Sequence, residues 1–335
     1  MASSFLTSTI RILGTFTIAK LAYNTATLLW IHLLRPSQLS KYAHAKPSSW
    51  ALVTGSSDGI GLELARELLA QGFNIFLHGR NASKLEAVKH TLLQAHPTRL
   101  IEIIVADASD PNLDYASIAR RVTSTPDSGS RTILINCVGG ITTTPMFVPL
   151  DALTGPAIDA NIAINARFPT RLTSALLPVL KRNSPALVIN AGSYAGVFGM
   201  PYIATYTATK AYVHTFTRAL RAEVECDGFG SEREGGGGGV EVMGSLIFDT
   251  ATSRNEAKEG GLGLMKVTAQ ACARGMLGKV GCGETLVAPD WRHWVTANVV
   301  LCLPEGVARR VMFPELRARR EEERVRLEEE RKKSL

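Results

Sequence analysis

Short apolar runs alternate with helical patterns of apolar positions along most of the chain. The runs that predict buried strands are 49–53, 73–78, 100–105, 132–136, 186–190 and 240–248. The segments with apolar residues at helical spacing are 62–71, 83–94, 113–123, 157–182 and 206–224. Strands that alternate with helices predict a parallel sheet with helices on both faces, which is a doubly wound α/β fold.

Residues 1–46 precede this alternation, and we predict that they form a membrane anchor or targeting segment. Ile12–Leu34 is mostly apolar and just reaches the roughly 20 residues that a bilayer core requires. An amphipathic helix lying in the membrane interface and a mitochondrial presequence are the alternatives. Basic residues follow the apolar stretch, so the positive-inside rule places the C-terminal side in the cytosol.

The remaining chain divides into a main domain, 47–303, and a charged tail, 304–335. Within the domain, 226–239 ends in consecutive glycines and is expected to be a solvated inserted loop, whereas 252–283 is expected to be a lid over a ligand. Opposite charges four residues apart predict an exposed single helix in the tail, with a partner-binding coil as the alternative. The expected pairs are Arg317/Glu321, Glu322/Arg326 and Arg326/Glu330.

Composition narrows the classes of function. At 335 residues and 45% hydrophobic content, the chain can bury one large core. The net charge of +7 would suit a nucleic-acid-binding protein, but residues 1–50 hold basic residues and no acidic one. Because much of the excess positive charge belongs to the N-terminal segment, we expect no nucleic-acid partner. The five cysteines have no metal-ligand spacing, so we expect reduced thiols and no metal.

The candidate chemistry lies at Tyr206 and Lys210, which are one helical turn apart on the same face. A free phenol has a pKa of about 10, and a neighbouring ammonium group stabilises the phenolate and lowers that pKa. Ser193 precedes the tyrosine and could hold a carbonyl oxygen against it. With a hydride donor beside them, these groups could reduce a ketone.

A glycine-rich turn between the first strand and the first helix predicts the site of that donor. Glycines in Thr54–Gly61 let the backbone turn tightly and approach a pyrophosphate at the N-terminus of a helix. Between a strand and a helix, this pattern indicates a Rossmann-type dinucleotide site. Its candidate contact residues are Gly55, Ser57, Gly59, Ile60 and Gly61.

Over about residues 48–253 these motifs resemble the short-chain dehydrogenase/reductase superfamily. The glycine turn, the hydrophobic N-terminus and the basic C-terminus are most similar to its membrane-bound very-long-chain 3-oxoacyl-CoA reductase / 17β-hydroxysteroid dehydrogenase branch. The resemblance implies that Tyr206 gives the proton while Ser193 holds the oxygen. It also implies that Lys210 lowers the tyrosine pKa and holds the cofactor ribose, and that Asn165 holds a water linking Lys210 to solvent.

The resemblance further implies cofactor contacts outside the glycine turn. They fall on Asp107, Asn136, Gly139, Arg171, Tyr206, Lys210, Phe248 and Thr250. Asp107 would bind the adenine ring, and for Arg171 a solvated helix face is an equal alternative. The family usually has a proline before the valine and threonine places that Phe248 and Thr250 take. This chain lacks that proline, and Cys137 replaces a family asparagine beside Asn136.

Arg80, just after the second strand, bears on the choice of nicotinamide cofactor. An acidic residue there would bind the ribose 2′-hydroxyl of NAD, whereas an arginine accommodates the 2′-phosphate of NADP. None of residues 78–81 is acidic. We therefore expect NADP(H).

The leading hypothesis is an NADPH-dependent ketoreductase of a lipophilic substrate, such as a long-chain 3-oxoacyl-CoA or a sterol-like ketone. The alternatives are a tailoring ketoreductase of a specialised-metabolite pathway, such as that of a polyketide, and a catalytically silent NADP-binding scaffold. Superfamily members often pair through the helices that carry Asn165 and Tyr206, so the resemblance also admits a homodimer.

The last four residues bear on cellular location. Lys332-Lys333-Ser334-Leu335 resembles the dilysine retrieval signal of endoplasmic-reticulum membrane proteins. Such a signal works only on a membrane-held protein with a cytosolic C-terminus, which is the topology that the N-terminal segment predicts. We expect an endoplasmic-reticulum membrane protein whose catalytic domain faces the cytosol.

Overall fold

The computed structural model describes residues 2–43, 48–124, 129–230, 238–252 and 266–333. Within these ranges the strands are β1 (Ser49–Thr54), β2 (Asn74–Gly79), β3 (Ile101–Val105), β4 (Ser130–Asn136), β5 (Ala186–Ser193), β6 (Val240–Ile247), β7 (Thr250–Ala251), β8 (Val267–Thr268) and β9 (Leu286–Val287). The α-helices are α1 (Ala2–Leu29), α2 (Gly59–Ala70), α3 (Ala82–Ala95), α4 (Tyr115–Thr123), α5 (Gly155–Ile162), α6 (Phe168–Arg182), α7 (Ala204–Val224), α8 (Ala269–Gly278), α9 (Trp291–Leu301) and α10 (Glu305–Lys333).

A seven-stranded sheet forms the centre of the domain, in the order β3-β2-β1-β4-β5-β6-β9. Neighbouring strands in it are parallel, which confirms the predicted Rossmann-type sheet. The strand order changes direction between β1 and β4, and ligands of such sheets bind at that point. The edge strand β9 was not predicted, because two residues are too few to show a hydrophobic pattern.

Side chains alternate along the strands between two apolar cores. On β1, Ala51 and Val53 face one core, whereas Trp50 and Leu52 face the other. Helices α2, α3 and α8 cover the first core, and helices α4, α6 and α7 cover the second. Full burial of a large apolar side chain contributes about 1.5–3 kcal/mol, so the two cores together hold the strand ends in place.

The single helix predicted over 157–182 is two helices joined by a π turn. Helix α5 begins at Gly155, and the π turn Ala163–Arg167 separates it from α6. A π turn adds one residue to a helical turn and is frequent at functional sites. Here it contains Asn165. The spacing of apolar residues did not reveal it, because apolar positions continue through 163–167 at nearly helical spacing.

The segment 252–283, which we expected to be a lid, is divided in the structure. Residues 253–265 lie outside the described residues. Helix α8 packs against α2, and its Cys272 and Met276 are buried in the first core. The expectation of a lid therefore applies only to the part before Lys266. In the predicted loop 226–239, residues 226–229 continue α7 as part of the π turn Glu225–Phe229, and 231–237 lie outside the described residues.

Helix α1 exposes its apolar side chains. Ile12, Phe16 and Leu21 are 69, 68 and 66% exposed. By length and hydropathy together, no helix among the described residues, α1 included, is able to cross a membrane. The chain after α1 is fixed to the domain, because the Arg35 side chain donates to the carbonyl of Val280 at 3.2 Å.

The C-terminal helix packs one face on the domain. Helix α10 begins at Glu305, and its Leu316 and Glu323 are each only 9% exposed. Of the expected charge pairs, Arg326–Glu330 is present at 3.8 Å. Most positions of α10 are exposed as predicted, but Leu316 and Glu323 on one face pack on the domain.

Candidate active site

The candidate residues come together at one edge of the sheet. In a parallel sheet the carboxyl ends of all strands lie at the same edge. The glycine turn follows β1, Arg80 follows β2, Asp107 follows β3 and Gly139 follows β4, while Ser193 ends β5.

The turn after β1 requires glycine at particular positions. Gly55 and Gly59 have φ values of +68° and +57°, a backbone region that side chains disfavour. A Cβ on Gly61 would lie 2.3 Å from the carbonyl oxygen of Gly55, so only glycine fits there. The turn leads directly into the N-terminus of α2, where free N–H groups and the helix dipole favour an anion. This geometry fits a pyrophosphate.

The end of β2 is held against the glycine turn by hydrogen bonds. The backbone N–H of His78 donates to Ser56 Oγ at 2.9 Å, and the N–H of Ser56 donates to the carbonyl of His78 at 3.0 Å. Arg80, two residues further on, is exposed at this edge. A Cβ on Gly79 would lie 3.5 Å from Ser57 Oγ, so the end of β2 packs closely on the glycine turn.

Asp107 lies at the neighbouring strand end. Burial acts to raise the pKa of its carboxyl group, but two hydrogen bonds from Ser109 and the charges of Arg80 and His78 outweigh burial and lower the pKa. Asp107 accepts from the Ser109 N–H at 2.8 Å and from its hydroxyl at 2.7 Å. The carboxylate therefore stays ionised at the edge where an adenine ring is expected.

Ser193 lies close enough to Tyr206 to influence its ionisation. Burial raises the pKa of Tyr206, and the nearby Ser193 hydroxyl acts against that rise. Ser193 Oγ also accepts a hydrogen bond from the N–H of Ala195 at 3.1 Å. We expected Lys210 to lower the pKa of Tyr206. In the structure the pKa of Tyr206 is instead raised, because burial has the larger effect.

Lys210 is buried, with 5% of its surface exposed. Its Nζ donates to the carbonyl of Ala191 at 2.7 Å and lies 5.7 Å from the centroid of the Tyr206 ring. Burial lowers the pKa of Lys210 to about 8, and attraction from the Cys137 thiolate would act in the opposite direction. At neutral pH most of the population still carries the ammonium charge behind the tyrosine.

Asn165 holds the loop after β4 beside Lys210. Its Nδ2 donates to the carbonyls of Gly140 at 2.8 Å and Asn161 at 2.9 Å, and its Oδ1 accepts from the N–H of Gly140 at 2.9 Å. A Cβ on Gly139 would lie 2.8 Å from Asn165 Oδ1 and 3.2 Å from Lys210 Nζ. The missing side chain at Gly139 therefore leaves a cradle over both polar groups.

Two other predicted cofactor contacts, Asn136 and Arg171, interact with neighbouring side chains of the protein. The amide of Asn136 donates to Thr173 Oγ1 at 2.9 Å and to Asn190 Oδ1 at 2.8 Å, so this side chain links strands to α6. The Arg171 guanidinium lies 4.9 Å from the Tyr115 ring on an exposed face of α6, which favours the solvated-face alternative.

The predicted contacts after β6 are packed beside the turn that follows Ser193. The Phe248 ring lies 6.1 Å from that of Tyr194, the residue after Ser193. The hydroxyl of Thr250 donates to the carbonyl of Phe248 at 3.3 Å. This local hydrogen bond spans the turn at a place where the chain lacks the family's proline.

Tyr206 lines a small pocket between two loops and the helices α5 and α7. Its lining is largely apolar, with threonine hydroxyls and Asn161, and consists of Ile141, Thr142, Thr143, Met146, Leu153, Ala157, Asn161, Tyr202, Ile203, Thr205 and Tyr206. Such a lining suits the hydrocarbon part of a ligand that presents one polar group to the tyrosine.

The sequence analysis missed His214. This side chain is 4% exposed, and its Nε2 accepts a hydrogen bond from the backbone N–H of Ser193 at 3.3 Å. Burial lowers its pKa to about 4, and the charges of Lys210 and Arg218 add to the effect. One signal was available, since His214 follows Lys210 by four residues and therefore lies on the same helical face.

These features define a class of protein. The family model described as short chain dehydrogenase matches residues 49–228, so the chain belongs to the short chain dehydrogenase family. Its members are oxidoreductases with a nicotinamide cofactor. The parallel sheet, the glycine turn and the Ser193, Tyr206 and Lys210 cluster are consistent with that class.

Among curated proteins, the chain is similar to several very-long-chain 3-oxoacyl-CoA reductases. The protein of that name from Neurospora crassa is 30% identical over 283 residues, which are 82% of this chain and 79% of the relative. The one from Coprinopsis cinerea is 33% identical over 216 residues, which are 64% of this chain and 62% of the relative. The match to the second relative thus spans less than two thirds of its length.

Solved structures show the same fold. A 7β-hydroxysteroid dehydrogenase superimposes with a TM-score of 0.67 at 20% identity, over 82% of this chain and 98% of that one. A short-chain dehydrogenase from Sphingobium yanoikuyae in complex with NADPH gives a TM-score of 0.60 at 22% identity, over 76% and 94% of the two chains.

We expect His214→Phe to lower the free energy of unfolding at pH 7 by about 1–3 kcal/mol, because the buried Ser193 N–H loses its acceptor. His214→Gln keeps an acceptor oxygen and should lose less. Urea unfolding of both variants measures the effect, with exposed His90→Phe as the control.

The lowered pKa of His214 predicts that the stability of the protein depends on pH. Below about 6.5 the unfolded chain binds a proton at His214. The folded chain does so only near its lowered pKa of about 4. The stability advantage of the native protein over His214→Gln should therefore shrink as the pH falls from about 6.5 towards 4. A constant difference across this range would contradict the buried neutral imidazole.

Proposed function

We propose that the chain is an NADPH-dependent ketoreductase of a lipophilic substrate, with a long-chain 3-oxoacyl-CoA as the first candidate. One observation carries the proposal: Tyr206 lines a small, largely apolar pocket beside Ser193, and Lys210 Nζ lies 5.7 Å from the centroid of its ring. The names of the curated relatives favour 3-oxoacyl-CoA thioesters over other ketones.

The residues present fit a nicotinamide dinucleotide. The glycine turn and the N-terminus of α2 would hold its pyrophosphate, and the cradle over Gly139 would admit its ribose beside Lys210. Arg80 would hold a 2′-phosphate, which selects NADP(H) over NAD(H). Two neighbours in fold have structures with NADPH or NADP, which supports the same choice.

The chain's own residues would handle the proton. The raised pKa of Tyr206 keeps its hydroxyl protonated at neutral pH, so it can give that proton to the substrate oxygen. Ser193 would donate a hydrogen bond to the same oxygen, and the ammonium of Lys210 would stabilise the phenolate that forms. The cofactor, when bound, supplies the hydride that adds to the carbonyl carbon.

Three further residues would keep this arrangement in place. Asn165 fixes the Gly140 backbone beside Lys210, and we retain for it the role of holding a water that returns a proton to Lys210. Phe248 and Thr250 would lie at the nicotinamide end, next to Tyr194.

We expect Tyr206→Phe to lower kcat for NADPH oxidation with 3-oxopalmitoyl-CoA at least about 100-fold, because the proton donor is removed. Binding of NADPH should change little. Tyr212→Phe on the same helix, which removes a hydroxyl from a 45% exposed residue, is the matched control. Tight NADPH binding by the native protein without turnover of any ketone in a panel would instead support the scaffold alternative.

We expect Arg80→Asp to weaken NADPH binding at least about tenfold, because it replaces a charge-assisted phosphate contact with a repulsion. NADH binding should be affected far less. Titration of both cofactors by fluorescence measures this ratio, and Arg182→Asp, on an exposed position at the far end of α6, is the control. An unchanged ratio in Arg80→Asp would show a surface arginine with no role in cofactor choice.

We further propose that the protein is held at the endoplasmic-reticulum membrane through its apolar N-terminal segment, with the catalytic domain in the cytosol. The exposed apolar side chains of α1 support contact with a membrane. Lys332 and Lys333, which resemble a dilysine retrieval signal, support the endoplasmic reticulum as the location. Microsomes should keep the protein through alkaline carbonate extraction, while protease added to intact vesicles should digest the domain. Release into the supernatant would exclude the anchor, and full protection would exclude the orientation.

A further inference from the structure

One face of α10 lies against the loops that form the pocket beside Tyr206. Leu316, Arg319, Arg320 and Glu323 are spaced at i, i+3, i+4 and i+7, so they share this face. Leu316 and Glu323 are its most buried positions, at 9% exposure each. A helix that presents two arginines and a buried carboxylate to the domain is held by specific contacts and not by apolar packing alone.

Glu323 binds the 141–150 loop, which is the first of the two pocket loops. Its Oε1 accepts a hydrogen bond from the backbone N–H of Met146 at 2.8 Å, and its Oε2 accepts one from the N–H of Phe147 at 3.2 Å. Hydrogen bonds to a carboxylate are stronger than those between neutral groups. Met146 also lines the pocket, so Glu323 fixes the backbone of a pocket wall.

Arg320 contacts the second pocket loop, which contains Tyr202 and precedes α7. Its guanidinium lies 4.7 Å from the centroid of the Tyr202 ring, which lines the pocket four residues before Tyr206. Tyr202 has a φ of +67°, a region that a bulky residue enters only when its surroundings hold it there. The N–H of Val148 donates to the carbonyl of Tyr202 at 3.0 Å, so the two loops are joined to each other as well as to α10.

Arg319 extends these contacts to the end of β6. Its guanidinium pairs with Asp249 at 3.0 Å, between side chains that are 36 and 18% exposed. Asp249 lies between Phe248 and Thr250, the proposed contacts at the nicotinamide end. Helix α10 therefore touches both pocket walls and the chain segment beside the reacting end of the cofactor.

From these contacts we infer that α10 is part of the substrate-binding site and that Glu323 is a positioning residue for the 141–150 loop. The inference rests on the proposed ketoreductase function. Glu323 touches neither Tyr206 nor Ser193, which are held by α7 and β5. Loss of its two hydrogen bonds should therefore loosen the pocket wall and weaken binding of the ketone, while the proton donor stays in place.

The test compares Glu323→Gln with Glu329→Gln in the full-length protein. A glutamine side chain can accept at only one oxygen, so in Glu323→Gln one of the two loop N–H groups would face an amide NH₂. Glu329 is an exposed glutamate on the same helix and serves as the matched control. Two measurements are made: hydrogen exchange of the peptide covering 141–150, and steady-state kinetics with NADPH and 3-oxopalmitoyl-CoA.

In Glu323→Gln, exchange in 141–150 should accelerate, and the KM for 3-oxopalmitoyl-CoA should rise at least about fivefold with kcat changed less than about twofold. The KM for NADPH should stay at the native value, and Glu329→Gln should match the native protein throughout. Native exchange in 141–150, or an equal loss in kcat and in both KM values, would overturn the inference. If the native protein reduces no ketone, the proposed function fails, and the exchange measurement alone decides whether Glu323 holds the loop.

Discussion

The close approach of α7 to the end of β5 is the contact on which the site depends. A Cβ on Gly196 would lie 2.5 Å from the backbone carbon of Lys210, and one on Gly192 would lie 2.8 Å from His214 Nε2. Because both positions are glycine, the helix comes near enough for Lys210 Nζ to reach the carbonyl of Ala191. The same contact brings Tyr206 to Ser193.

This packing explains the electrostatics of the site. The lysine and the tyrosine are both withdrawn from water, and burial disfavours the charged form of each. The outcome is a protonated tyrosine beside an ammonium group whose pKa lies near 8. Such a pair is suited to giving up a proton when negative charge develops on a substrate oxygen, and the ammonium then gains a phenolate as its partner.

The substrate side of the site is built differently from the cofactor side. The cofactor edge is made of strand ends, which the parallel sheet holds in fixed positions. The pocket beside Tyr206 lies between two loops and the helices α5 and α7, and the loops are joined by backbone hydrogen bonds and by side chains of α10. One scaffold can therefore keep its chemistry while its loops and its last helix adapt to another ketone.

Local sequence determined the six longer strands, most helices, the glycine turn and the Tyr206/Lys210 pair, because alternation, helical spacing and turn chemistry act over a few residues. It also placed the site at the strand ends, since parallel strands leave little choice. Only tertiary structure revealed the π turn at Asn165 and the acceptor role of His214. It alone showed the direction of the Tyr206 pKa shift and the packing of α10 on the pocket loops. Each of these depends on groups far apart in the chain, such as Glu323 and Met146, and on how deeply they are buried. Burial and contacts between distant residues are properties of the folded chain, so local sequence patterns do not predict them.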